Sequence, residues 1–455
     1  MRFLIRKFLD YRDVFAVAML FCGLPIVYFF RDGLKLAPNS AAFTVAGALG
    51  PLIMTIPFKN LKKLYVPNPL AYFLTMWFVI ITFLYLLFRD KYSPISGTYE
   101  LLSYSFIFFI FYAFVMMSAD SLNNNFLPIA LTICIIGSLL LIYSVYKDPL
   151  YVIGQRAAIK FREEEEGNTG NPHIFSKVAF FGLILSTMLL KYQKKYKTGM
   201  IFTLATMLLF IVVLFLTQTM ITFITSAIFL WLFFIFNFSF KSLFKSVRSL
   251  LTKWYVLLVL GFGVYKVVVL INENEDALAP VTIFVSNRVE KLIGTLTGAL
   301  SGEESTKEKD VDVSASMRVS LISAVFENLT ENVEDGKLRY VFWGNGYKNL
   351  YVDVPIFEVL DSFGIIMFIF YMVIYFYLTK ICILEMRNPS SIAAEFIAYG
   401  YIYFMILNLT GGYVMDYTRW GYYAVVARFI PGGLLYVKSK VETKKTDSEP
   451  QIIGV

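Results

Sequence analysis

Apolar residues gather along this chain into long runs separated by short polar segments. A helix needs about 20 residues to cross the roughly 30 Å hydrocarbon layer of a bilayer. Runs near that length fall at 14–30, 41–58, 71–88, 101–117, 126–146, 175–190, 200–217, 221–238, 255–271, 356–378, 392–409 and 421–437. The pattern predicts an all-α, polytopic membrane protein of about twelve transmembrane helices, with 1–455 as a single integral membrane domain. No small-residue cleavage site follows the first run and further runs come after it, so it reads as an uncleaved first span rather than a signal peptide.

Twelve spans place both termini on one side. The segments on the side of the termini, ending in the tail 438–455, carry 21 Lys and Arg, whereas the short loops on the opposite side carry nine. The basic side faces the cytoplasm, although "DSLNNN" at 120–125 adds no positive charge to it. Two outside segments are longer than a turn, 147–174 and 272–355, and most of the chain's polar chemistry lies in them. Loops held by a rigid scaffold are where function concentrates.

Composition agrees: 58% of residues are hydrophobic and 16% charged. The net charge of +8 comes mainly from helix-end basic residues, so it speaks for membrane orientation rather than nucleic-acid binding. Cys22, Cys134 and Cys382 lie in or beside apolar runs and His173 is the only histidine, which excludes a Cys/His zinc site and predicts neither metal nor cofactor.

Within the larger loop, "VSNRVEKLIGTLTGAL" aligns Val285, Val289, Leu292, Ile293, Leu296 and Leu300 on one face, predicting an amphipathic helix on the membrane surface. A charged stretch at 301–316 reads as a mobile connector. "SMRVSLISAVFENLTEN" predicts a second helix with Leu321, Ile322, Val325, Phe326 and Leu329 as its apolar stripe, and Arg318 on that stripe near the helix start. An arginine there either meets an anion, helped by the free N–H groups of a first turn, or forms a salt bridge.

In the smaller loop, Arg156 and Arg162 either face a polyanion or pair with Glu163 to Glu166; Pro172 marks a helix start, and His173 beside it is either a base or, as one histidine beside a helix start more often is, a structural residue. The turn Gly344, Asn345, Gly346 and Tyr347 closes the larger loop. Asp353 stands two residues before Pro355, where helix capping is its default role. Glu358 and Asp361 follow at helical spacing where the chain re-enters apolar sequence. Carboxylates there are costly in lipid and belong against protein or water, where one could take a proton from a sugar hydroxyl. Lys266, Asp416, Arg419 and Arg428 are further candidates for lining a polar cavity or forming structural pairs.

The helix "R-x-S-L-I-S-A-V-F-E-N-L", then "FWGNGY", then "DVPIFEVLDSFG", set after a large loop in a chain of about twelve spans, resembles the Wzy-type O-antigen polymerases and the related O-antigen ligases. Arg318, Gly344, Gly346, Phe357, Glu358, Leu360 and Gly364 fill the places of that superfamily's motif. Arg162, Asn171 and Pro172 match a second one, with Arg156 as the other choice of arginine. "LTQTMIT" lacks an arginine often found there, and Asp353 stands where the ligases carry a histidine.

The resemblance implies a GT-C-type, metal-independent, inverting glycosyltransferase of the bacterial inner membrane, acting on the periplasmic face. Its partners would be undecaprenyl-pyrophosphate-linked oligosaccharide, membrane lipids and a chain-length regulator. It further implies Arg318 with Arg162 or Arg156 on the donor diphosphate, and Asp353 or Glu358 as base. The rival expectations are an O-antigen ligase acting on lipid A-core and a flippase or other transporter. The 84-residue loop 272–355 breaks the two-half symmetry usual in transporters.

Overall fold

The computed structural model describes residues 2–37, 40–53, 68–88, 97–117, 125–148, 156–159, 172–192, 197–237 and 313–432, with a few isolated positions besides. Among them every regular element is helical. α1 (Arg2–Cys22) and α2 (Leu24–Tyr28) lead into a π-helical turn at Phe29–Gly33. There follow α3 (Ala41–Ile53), α4 (Pro69–Leu87), α5 (Gly97–Met116), α6 (Phe126–Lys147), α7 (Pro172–Tyr192), α8 (Lys197–Thr217) and α9 (Met220–Asn237). After the undescribed stretch come α10 (Val313–Glu334), α11 (Leu338–Trp343), α12 (Pro355–Arg387), α13 (Ile392–Thr410) and α14 (Tyr417–Phe429).

Among the described residues seven helices, α4, α5, α6, α7, α9, α12 and α13, are long and apolar enough to cross a membrane, so the chain is membrane-embedded. Each coincides with a run read from the sequence. The first predicted span is two pieces, Tyr11–Cys22 and Leu24–Gly33, bent by 70°. Pro25 lies at the start of the second piece, and a proline there has no N–H to donate to the preceding turn. If the bent pair is one span, the count is eight. α3 and α14 have 13 described residues each; positions 54 and 56–58 of the predicted span 41–58 and 433–437 of the predicted span 421–437 lie outside the described residues, as do nearly all of the predicted span 255–271, Lys266 and the surface helix 285–300.

α12 departs most from its expected shape. It extends over 33 residues, through Lys380 to Arg387, a stretch the charge pattern assigns to a cytoplasmic connection. It also breaks at Gly364, whose φ of 77° and ψ of −180° belong to a region open essentially to glycine alone. Glu358 and Asp361 therefore sit in a short helix that precedes the break.

Where lipid replaces water around a bundle, close packing and hydrogen bonds hold helices together more than water exclusion does. The aromatic core supplies the packing: Trp420 of α14 stacks on Phe78 of α4 at 5.3 Å between centroids, and Tyr422 stacks on Phe181 of α7 at 6.1 Å. Polar ties cross the same core. Tyr371 of α12 donates to Asn408 of α13, which donates to Tyr423 of α14. Lys191 and Tyr192 at the end of α7 both donate to Glu395 of α13. Arg428, a cavity-lining candidate, is a structural tie: its guanidinium donates to the carbonyls of Phe114 and Met117, at 2.9 and 2.6 Å. Those carbonyls lie at the C-terminal end of α5, where a helix leaves them unpartnered.

Candidate functional site

At one end of the bundle α4, α6, α8 and α13 finish and α5, α7, α9, α12 and α14 begin. The polar residues converge there. The base of the arrangement is the turn at 344–346, which rests on the broken helix. Gly344 has φ 78° and ψ 170°, again glycine-only backbone. A Cβ at Gly344 would fall on the backbone of Ser362 and Phe363, and one at Gly364 on that of Phe342 and Gly344, so the two glycines let the strands of backbone touch. The break at Gly364 frees carbonyls from the helical ladder, and the turn uses them: Asn345 N–H donates to Asp361 O at 2.8 Å and Gly346 N–H to Ser362 O at 3.2 Å. The Asp361 carboxylate completes the fit by accepting from the Asn345 side chain at 2.8 Å and the Leu350 N–H at 3.2 Å. Asp361 is thus the organiser of the turn.

The next residues fasten this turn to α5. Tyr347 O–H donates to Glu100 Oε2 and Lys348 Nζ to Glu100 Oε1, both at 2.6 Å, with Lys348 also 4.6 Å from the centre of the Tyr413 ring. Burial first, then Tyr104 and Glu100, push the Tyr347 phenol up, so it remains a donor. Neither Glu100 nor Lys348 stands out in the sequence, although an acidic residue at the first turn of a span is a signal that it faces protein.

Above the turn, α10 lays Leu321, Ile322 and Val325 against Val352, Val354 and Leu360, as its predicted stripe requires, and Phe326 meets Phe357 edge-on at 5.8 Å. This holds Arg318 in place. Because α10 begins at Val313, Arg318 stands in the second turn, away from the free N–H groups of the first, and the helix-start argument for it does not apply. Its guanidinium pairs with Asp353, Nε and Nη2 each 3.0 Å from Oδ2. The side chains of this pair remain 34% and 29% exposed, so it faces an opening rather than the core.

Asp353 does not cap α12. Val354 occupies the cap position without a side-chain hydrogen bond, while Asp353, at φ 51°, turns its carboxylate the other way. There Oδ1 accepts from Gly412 N–H at 3.0 Å and from the more distant Tyr351 O–H at 3.4 Å. Burial, then the Asp353 charge, push the Tyr351 phenol up to about 12, which keeps it a donor. Both Asp353 oxygens are therefore occupied.

Glu358 is wholly buried, with Oε2 accepting from Val414 N–H at 2.8 Å and Oε1 without a partner among the described residues. Lys348 and Arg419 act on it electrostatically. Arg419, also wholly buried, braces the 411–416 loop by donating to the carbonyls of Tyr413 and Gly411 at 2.6 and 3.2 Å, and Asp416 caps α14 through Thr418 N–H.

The smaller loop contributes from the far side. Ala157 N–H donates to Leu216 O at 2.8 Å, fixing residues 156–159 on the end of α8. Arg156 and His173 are both exposed, and His173, in the first turn of α7, lies within the electrostatic reach of Arg156, Arg318 and Asp353. Pro172 opens that helix as expected. Arg162 and Asn171 lie outside the described residues.

The structure thus brings Arg318, Asp353, Arg156 and His173 to one opening, with Glu358 sealed beneath it. Lys177 of α7, one turn below His173, is a buried cation that the sequence reading passed over. A lone lysine inside an apolar span was the available signal. The chain matches no protein-family model and no curated protein sequence.

Proposed function

We propose that the protein is a surface-polysaccharide polymerase of the O-antigen type, built on a GT-C-like bundle of about twelve spans in a bacterial inner membrane, with its termini cytoplasmic and its site periplasmic. The observation that carries the reading is the convergence of two arginines from separate loops, Arg318 and Arg156, on one half-exposed opening at the end of a membrane bundle. Guanidinium groups are permanently charged and bind phosphate oxygens in a bidentate fork. A polyprenyl pyrophosphate fits that setting, since its tail can stay in lipid while the diphosphate reaches the arginines.

In this reading a hydroxyl of one lipid-linked repeat attacks the anomeric carbon of the growing glycan on another. The new C–O bond forms as the bond to the diphosphate oxygen breaks, and the hydroxyl proton passes to a base. Arg318 and Arg156 stabilise the charge gathering on the departing undecaprenyl pyrophosphate. Two groups at the opening can take the proton, Asp353 and His173. Glu358, enclosed on all sides, supports the loop from below. Asp353 already accepts from Arg318 and Gly412, which suits it to hold the guanidinium in position.

The test is reconstitution of the purified protein in vesicles with its undecaprenyl-pyrophosphate repeat unit, products being separated on a gel. A ladder from the wild type that disappears in Arg318→Ala is expected. A folded wild type that yields no ladder from its own repeat unit would overturn the proposal.

A further inference from the structure

The guanidinium that the proposed reaction gives to a diphosphate already holds an anion. Arg318 Nε and Nη2 both donate to Asp353 Oδ2 at 3.0 Å. The other oxygen, Oδ1, accepts from Gly412 N–H at 3.0 Å and, at the outer limit of a hydrogen bond, from Tyr351 O–H at 3.4 Å. A guanidinium edge, a backbone N–H and a hydroxyl from three segments of the chain thus converge on one carboxylate, and a phosphate is bound by the same kinds of donor. Other contacts also hold these donors in place. Arg318 stands on α10, whose apolar stripe packs against Val352, Val354 and Leu360. A Cβ added at Gly411 would meet Arg318 Nη2 at 3.5 Å, so the guanidinium lies close over the loop that presents the Gly412 N–H. Glu358 and Arg419 fix that loop from beneath.

A diphosphate cannot simply be added to this arrangement. Paired with Asp353, Arg318 presents no net charge, and a phosphate beside the pair meets the carboxylate as a like charge at a few ångströms. Exchange of one anion for the other avoids both costs and keeps every donor satisfied. The two side chains of the pair are 34% and 29% exposed, so a ligand reaches the donors from the opening and a displaced carboxylate meets water. Asp353 also sits at φ 51°, a left-handed conformation that Asp tolerates better than most residues but that still costs energy to hold. A phosphate, larger than a carboxylate and with a third oxygen, suits the more distant Tyr351 hydroxyl. We infer that Asp353 occupies the phosphate cradle of the donor, formed by Arg318, Gly412 N–H and Tyr351 O–H, and that a phosphate of the diphosphate displaces its carboxylate on binding. The inference rests on the polymerase reading for the identity of the diphosphate, and it adds Gly412 and Tyr351 to the groups that hold it.

The experiment measures binding of two probes, undecaprenyl pyrophosphate and inorganic pyrophosphate, to the full-length protein in phosphatidylcholine nanodiscs by native mass spectrometry. Asp353→Asn is nearly isosteric, keeps an acceptor for Gly412 and removes the competing charge. It should bind undecaprenyl pyrophosphate about tenfold more tightly than wild type. Tighter binding of inorganic pyrophosphate as well shows that the cradle reads the diphosphate itself, and no binding of that probe by either protein shows that it takes the lipid-linked form alone. Tyr351→Phe, at an exposed position, should weaken binding by roughly threefold to tenfold, the usual effect of one hydrogen bond. The sign of the Asp353→Asn change decides the matter. Weaker or unchanged binding of undecaprenyl pyrophosphate would overturn displacement and leave Asp353 as a group that only positions Arg318, with the phosphate on another edge of the guanidinium. Unchanged affinity in Tyr351→Phe would overturn the cradle. Failure of wild type and Asp353→Asn alike to bind undecaprenyl pyrophosphate would instead overturn the polymerase reading, and the cradle with it.

Discussion

Replacing Lys348 by Met tests how the turn beneath the candidate site is held. The Lys348 and Glu100 side chains are 8% and 3% exposed and meet at 2.6 Å. Removing the ammonium leaves Glu100 buried, with Tyr347 O–H on Oε2 and nothing on Oε1. Breaking one partner out of a buried ion pair costs about 3–5 kcal/mol, mostly as the penalty of the orphaned charge, which is a factor of roughly 10² to 10³ or more in the opening equilibrium. Cys22, Cys134 and Cys382 are all buried and free, so a thiol-reactive dye reads that opening directly in detergent. Lys348→Met should label at least a hundredfold faster than wild type at a fixed temperature. Adding Glu100→Gln, which removes the stranded charge and keeps an acceptor for Tyr347, should bring the rate back to within about tenfold, since contacting residues do not add. Labelling of Lys348→Met at the wild-type rate, or a double variant as fast as the product of the two single effects, would refute the ion-pair account.

Three further outcomes are expected. Gly344→Ala places a side chain in glycine-only backbone against Ser362 and Phe363. It should cost at least the 1–3 kcal/mol of such strain, seen as faster thiol labelling and loss of any ladder, whereas Gly336→Ala, where the added carbon meets nothing, should lose only about 1–2 kcal/mol to its positive φ. Asp353→Asn keeps an acceptor for Gly412 and should retain activity to within roughly a hundredfold in a ladder assay. A loss beyond about 10³ would be the mark of a general base. Arg428→Met leaves the Phe114 and Met117 carbonyls unpaired and should lower the unfolding temperature with no change in KM for the lipid-linked repeat.

What could be read in the sequence followed periodicity and length. The stripe of Leu321, Ile322 and Val325 packs as a helical face should, and seven of the predicted spans are helices long enough to cross a bilayer. Hydropathy averages over a window, and so it passed over the break at Pro25 and the one at Gly364, each a single-residue event inside an apolar run. Local rules also misplaced Asp353: its distance from Pro355 suggests a cap, but its partners are Arg318 and the distant Gly412 N–H, 59 positions away in sequence. The Glu100 and Lys348 pair spans 248 positions, and no local pattern announces such a contact. Lys177 was visible as a lone cation in a span, yet its burial is set by the packing of α7 within the bundle, which no local pattern announces.

In the proposed reaction the glycan leaves a lipid diphosphate for a second lipid-linked repeat, with Arg318 holding the leaving group. Its most direct measurement is the amount of undecaprenyl pyrophosphate released per glycosidic bond formed, in vesicles containing only the protein and its lipid-linked repeat. One is released per bond in the proposed reaction, and Arg318→Ala abolishes both products together. Movement of the repeat across the vesicle membrane without release would contradict it in favour of a transporter, and release only when lipid A-core is added would contradict it in favour of a ligase.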